Sequence, residues 1–334
     1  MSEMRALLVE QLDRLLTEQG GVAVLREVER GTWPEALWAE VEAQGLALAL
    51  VPEVAGGAGL GWGDAAALWH VLGSHAALIP LGEAMLAGAF LGAAGIEQPE
   101  GFTTLAAAGE AAPFGRHAST LAMLDGPHVT LRQPGETTNG QNTGREPRDR
   151  VTPGATTAEG DLPNGFGARA ARLGLALLRA AQIGGALEKV LALTVDWANT
   201  RKQFGRPIGK FQAIQQSLAA MAAEVASVQV AVAAAARAAD ARGLDGAAFE
   251  IGCAKIVAGE AATLGAATAH QVFAAIGITE EHELHHFTRR LWSWREEGGT
   301  ERAWAEEIGR DAMARGGDAL WPDLTARDIS GVSA

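Results

Sequence analysis

The 334-residue chain carries 27 basic against 40 acidic side chains, a net charge of −13 at pH 7, and a single cysteine. That charge argues against nucleic acid as the main partner, because a phosphate backbone needs a basic face. The lone Cys253 excludes an intrachain disulfide framework and fits a reducing, cytoplasmic setting.

With no tyrosine and an excess of Ala, Leu and Gly, the composition favours helix, and the length leaves room for two or three sub-domains around a large core. Residues 3 to 19 read as an amphipathic helix with Leu7, Leu8, Leu12, Leu15 and Leu16 on one side. The start mixes charges every few residues and lacks the apolar core of a signal peptide. No uninterrupted run of eighteen apolar residues suggests a membrane span, so a soluble protein is expected.

A second helix is expected from about Trp33 to Ala43, with Pro34 just inside its start. Gly56, Gly57, Gly59, Gly61 and Gly63 follow, but neither a GxGxxG register nor GK[ST] is present, so the stretch reads as a connector into a helix capped by Asp64. Ala/Leu-rich helix continues to Ala94, broken near Pro80-Leu81-Gly82. These elements make an N-terminal helical domain, 1–100.

From 101 to 163 the helical period is lost. Short β-like runs, Ser119 to Leu124 and His128 to Arg132, flank a turn at Asp125-Gly126-Pro127, and the polar PGETTNGQNTGREPRD reads as loop. This is a shortened β module, too small for an independent core. From 164 to 334 the chain reads as a helical bundle, with long helices from Ala168 to Thr200, from Gly209 to Arg242, and from a cap at Asp245 to about Phe273. The expected fold class is therefore mainly α.

Between the first two bundle helices, Gly205, Pro207 and Gly209 break the helix, and Arg201, Lys202, Arg206 and Lys210 gather in an otherwise acidic chain. Cations on a tight turn suit a phosphate or pyrophosphate; the plainer reading is a solvated hairpin. His282-Glu-Leu-His-His286 matches HExxH, but a pattern of five residues among eight histidines is weak without a third ligand, and no metal is expected.

The run RKQFGRPIGKFQAIQ, Arg201 to Gln215, closely resembles the signature of the acyl-CoA dehydrogenase family, flavoenzymes that desaturate acyl-CoA thioesters. LVPEVAGGAGL, AAPFGRHASTLAML and the 279–290 segment resemble further family segments, so the likeness covers nearly the whole chain. It implies an N-terminal helical domain, a middle β-domain, a four-helix-type bundle, FAD as cofactor, an acyl-CoA substrate and an electron-accepting flavoprotein. It also implies that Arg201 and Phe204 reach the FAD pyrophosphate of a neighbouring subunit, and that Gln271 and Ala275, in a variant of the QxxGGxG turn, line FAD on the partner side. Ala274 and Ala275 replace that turn's middle glycines.

The family base, a Glu in a YEGT turn, must be desolvated and raised towards neutrality. Aligned without a gap, its position falls on Gly298; a one-residue insertion restores Glu297-Gly-Gly-Thr300, making Glu297 the candidate base and Thr300 a candidate cofactor contact. The other position used in the family falls on Leu175 and Ala176. Either Glu297 is the base or the chain has none.

The family's TEPxAGSD-like flavin loop is missing from LAAAGEAAP. This points to a supporting subunit of a mixed tetramer. A self-sufficient homo-oligomer with Glu297 as base and a flavin-free scaffold remain alternatives.

Overall fold

The computed structural model describes residues 3–107 and 111–329. The chain is mainly helical and opens with α1 (Glu3–Gln19), α2 (Val22–Glu29), α3 (Glu35–Ala43), α4 (Trp62–Ser74) and α5 (Leu81–Ala93). Helix α1 buries Leu12, Leu15 and Leu16 but leaves Leu7 49% exposed, so the core-facing stripe is narrower than its leucine content suggests. Helix α5 is buried from Leu81 through Leu91, apolar almost all round, because it lies between the N-terminal helices, the sheet and the bundle. The one acid in that buried run is Glu83.

The 101–163 stretch forms a five-stranded sheet from β1 (Thr103–Ala107), β2 (Ala112–Pro113), β3 (Thr120–Asp125), β4 (His128–Thr138) and β5 (Arg148–Asp161), in the order β1-β3-β4-β5-β2. Strand β1 runs parallel to β3 and the other pairings are antiparallel. Two expectations need correction. The strand from His128 runs on to Thr138 rather than stopping at Arg132, and 148–161, given no strand by the sequence, forms the longest strand of the sheet. The outer halves of both strands face water on each side, so they show no apolar alternation; their backbone ladder holds them together.

The bundle consists of α6 (Ala170–Thr200), α7 (Gln212–Gly246), α8 (Ala248–Phe273), α9 (Leu284–Trp294), α10 (Glu301–Arg315) and α11 (Gly317–Ile329). Helices α4 and α6 cross at backbone contact: a Cβ on Gly185 would fall 1.9 Å from the His70 carbonyl oxygen, and one on Gly73 would fall 2.0 Å from that of Gln182. Only glycine permits that approach.

Two caps also differ from expectation. Gly61, not Asp64, precedes α4, and the N–H groups of Trp62 and Gly63 donate to the Asp240 carboxylate of α7, at 2.5 and 3.0 Å. Asp64 pairs instead with Arg5. Asp245 lies in the last turn of α7, past a kink at Gly243 (φ 73°), and α8 starts only at Ala248. Among the described residues, α7 and the 248–278 stretch are long and apolar enough to cross a membrane; both pack within the bundle, α8 against α6, α7 and α10.

Candidate active site

Glu297 hangs in the turn between α9 and α10, at the edge of a cavity of about 800 Å³ whose lining includes Leu105 of β1, Leu124 of β3, Leu175 of α6 and Thr300. The turn is tightly built. Lys255, fully buried on α8, donates from Nζ to the Arg295 carbonyl at 2.6 Å, and Trp304 Nε1 donates to the Gly298 carbonyl at 3.0 Å. Burial pushes the Lys255 amine down to about 8, against the pull of Glu301 and Glu296. Gly298 (φ 71°) lies against α6, where a Cβ would come within 2.7 Å of the Ala176 amide nitrogen. Leu175 and Ala176, the other base position implied by the resemblance, thus face the same cavity and turn, without a carboxylate.

Three elements converge on the Glu297 carboxylate. Oε1 accepts from Asn142 Nδ2 (2.9 Å) and Arg148 Nε (2.9 Å); Oε2 accepts from Arg148 Nη2 (3.0 Å) and Arg179 Nε (2.7 Å). Asn142 comes from the β4–β5 loop, Arg148 from the start of β5 and Arg179 from the middle of α6. Arg179 also donates to Glu83 of α5 (2.5 Å) and to Gln182 (2.5 Å), and Arg148 donates to Glu146 (3.1 Å), which accepts from Trp294 Nε1 as well.

Two guanidinium groups are therefore shared among the side chains of Glu83, Glu146 and Glu297. Burial alone would raise the Glu297 carboxyl, but Arg148 and Arg179 outweigh it and hold it at about 2. The same carboxylates hold Arg148 above its ordinary range despite its burial. A base for carbon acids needs a free lone pair and a proton affinity near neutrality. Glu297 meets the opposite electrostatics: it is ionised and accepts four hydrogen bonds.

Thr300 lines the cavity, and its side-chain oxygen caps α10 by accepting from Ala303 N (3.2 Å). Sequence reasoning missed Glu83, Glu146, Arg148, Arg179 and Asn142. Two of them left a legible signal, since Glu83 in LGEAMLAGAFL and Arg179 in LALLRAAQIG are lone charges within buried helix.

Arg201, Phe204, Gln271 and Ala275 lie elsewhere. Arg179 and Arg201 are both on the α6 path, 22 residues apart, roughly 30 Å along the helix axis. Residues 201–210 form a small hairpin, β6 (Lys202–Gln203) paired with β7 (Arg206–Pro207). Its tip residues Phe204 (φ 52°) and Gly205 (φ 80°) both take the left-handed conformation of a two-residue hairpin turn. For a phenylalanine that is a strained choice, and its ring ends 90% exposed.

Arg201 lies over the Trp197 ring at 6.0 Å and Arg206 over Phe211 at 4.3 Å. Among the described residues, Arg201, Lys202, Arg206 and Lys210 have no acidic partner. Trp197 stacks on Phe273 at 5.0 Å, bringing the end of α8 to the same end of the bundle. There Gln271 and Ala275 are exposed, and Ala274, at φ 56° and ψ −141°, holds a conformation suited to glycine.

The histidines of the HExxH match part company. His282 packs on Phe273, ahead of α9, while His286 is buried beside Glu29 of α2. Glu29 also accepts from Arg289 at 2.8 Å, which ties α9 to the N-terminal helices. No group of three or more His, Cys, Asp or Glu side chains is placed to hold a metal among the described residues.

Residues 165–315 match the model of the acyl-CoA dehydrogenase C-terminal domain. The chain is 32% identical over 306 residues to the acyl-CoA dehydrogenase IpdE2 of Mycobacterium tuberculosis, spanning 86% of this chain and 91% of that protein. The chain belongs to the acyl-CoA dehydrogenase family. In fold it is similar to a chain of the ChsE4-ChsE5 complex from Mycobacterium tuberculosis (TM-score 0.80, 22% identity, covering 93% of this chain and 97% of that one). It is also similar to a chain of the Tcur3481-Tcur3483 steroid ACAD G363A variant (TM-score 0.82, 24% identity, 94% and 98% covered).

Proposed function

We propose that this acyl-CoA dehydrogenase chain is the supporting subunit of a mixed oligomer, in which the exposed end of its bundle completes the FAD site of a partner chain. The observation that carries the reading is the 201–210 hairpin, four cations without an acidic partner among the described residues, around an aromatic tip held out in solvent. A cation left unpaired at a surface costs the fold little, and it is available to neutralise a pyrophosphate. The resemblance assigns that contact to Arg201 and Phe204, with Gln271 and Ala275 beside them. Both similar structures named by two chains, ChsE4-ChsE5 and Tcur3481-Tcur3483, support a two-chain assembly for this fold.

The chain's own cavity fits FAD less well. The guanidinium groups at its floor, Arg148 and Arg179, are already bonded to Glu83, Glu146 and Glu297. FAD, when bound, supplies the hydride acceptor for α,β-desaturation of an acyl-CoA, with electrons passing on to an acceptor flavoprotein. In this reading the base that removes the α-proton is the partner's. This chain contributes charge and shape at the cofactor: Arg201 offsets phosphate charge, and Phe204 excludes water from the seam. Thr300 and Glu297 keep the shape of the turn without its proton chemistry.

The test is to co-purify the chain with its partner and compare wild type with Arg201→Ala. The expected result is an intact complex with flavin content reduced at least tenfold. Unchanged flavin in the intact variant complex would refute the assignment.

A further inference from the structure

We infer that the cavity beside the 295–300 turn is a carboxylate-binding site, shaped for an apolar molecule ending in a carboxylate, and that Glu297 is its built-in occupant. The inference goes beyond the subunit role and needs no partner chain. At about 800 Å³ the cavity is large enough for a small organic ligand. Its apolar lining comes from Leu105, Pro113 and Leu124 of the sheet, from Ala168, and from Ala171 and Leu175 at the start of α6, with Arg169 and Arg172 among them. Its floor carries the guanidinium groups of Arg148 and Arg179, whose side chains are 10% and 1% exposed. A largely apolar cavity beside a pair of guanidinium groups is complementary to a hydrocarbon with a planar anionic end.

Glu297 now fills the anionic position. Its carboxylate makes the fork–fork contact with Arg148 at 2.9 and 3.0 Å and takes a third guanidinium bond from Arg179 at 2.7 Å. Of the three acids in the network, Glu297 alone has a route out. Its side chain is 23% exposed, against 4% for Glu83 and 6% for Glu146. Glu83 sits on a helix buried along its length, and Glu146 is pinned by Trp294. Glu297 can turn into solvent beside the exposed Glu296, and a ligand carboxylate can then take the same donors without changing the network's charge. Arg169 and Arg172 also line the cavity and share Glu307, at 2.6 Å for Arg172.

The experiment is calorimetric titration of the full-length chain with octanoate, octan-1-ol and acetate, for wild type, Glu297→Gln and Leu175→Trp. Octanoate is expected to bind wild type at least tenfold more tightly than octan-1-ol, which lacks the anion, and than acetate, which lacks the tail. Glu297→Gln, which vacates the anionic position, should tighten octanoate at least tenfold and leave octan-1-ol unchanged. Leu175→Trp, which fills the cavity beside α6 and spares the arginines, should abolish octanoate binding. If Glu297→Gln melts early, Glu297→Asp draws the carboxylate back by one methylene and should also tighten octanoate.

The inference is overturned if octan-1-ol matches octanoate, if neither Glu297 variant tightens octanoate, or if Leu175→Trp binds octanoate as wild type does. None of these outcomes bears on the Arg201 experiment, so the two readings fail separately.

Discussion

The two ends of α6 handle charge in opposite ways. Around Arg179, two arginines and three glutamates bond to one another, with Glu83, Glu146 and Arg179 buried and Arg148 and Glu297 at the cavity edge. Around Arg201, four cations stand in water with no acid opposite them among the described residues, beside a phenylalanine in a strained backbone conformation. An unsatisfied cation with a strained aromatic at the surface is positioned for something outside the chain. On the proposed reading, the contact with a cofactor is made at the bundle end rather than at the turn where the family base would be sought.

The largest effect that sharpens the contrast is expected from Arg179→Met. It leaves Glu83 and Glu297 without their shared partner in a buried site and should cost about 3–5 kcal/mol in a denaturant melt. A small loss would mean that the network is wetter than the geometry implies. Next is Gly298→Ala, where the new Cβ meets the Ala176 amide nitrogen at 2.7 Å and φ is 71°. A loss of about 2–3 kcal/mol is expected from the combined clash and backbone strain.

Acid should separate the regions as well. Glu297 and Glu29 are each held at about 2 in the folded chain, against 4.5 for an ordinary glutamate. A depressed carboxyl stabilises the fold fully above the unfolded value and loses that contribution as pH falls through the folded one. Stability should therefore fall between about pH 4.5 and 2, and the fall should be shallower in Glu297→Gln, measured by urea midpoints across that window. A wild-type slope retained in Glu297→Gln would remove Glu297 from the account.

The mildest change is Ala274→Gly at the bundle end. It relieves a glycine-type conformation and should stabilise the chain by about 1 kcal/mol. A destabilised variant would show that the Ala274 methyl makes contacts outweighing the strain.

Much of this was legible from residues. The helices of the bundle follow from their period, and Arg201 to Gln215 identified the family before any geometry. The long β4–β5 hairpin was not legible, because GETT and VTPGATTAEGD lie exposed on both faces and carry no alternation. Nor was the fate of Glu297. Its sequence neighbourhood offered a candidate base, but its proton affinity is set by Arg148 and Arg179, which lie 149 and 118 residues away. Long-range pairing of this kind leaves no mark at the carboxylate itself. It shows only as isolated charges such as Glu83 and Arg179 inside helices that are otherwise apolar.

The most direct test of the central claim is the visible absorbance spectrum of this chain expressed and purified without any partner, taken with its mass in solution. The account predicts a colourless protein that acquires no flavin bands when FAD is added, because the site it helps to form is the partner's. A yellow oligomer of this chain alone, with stoichiometric FAD, would contradict it.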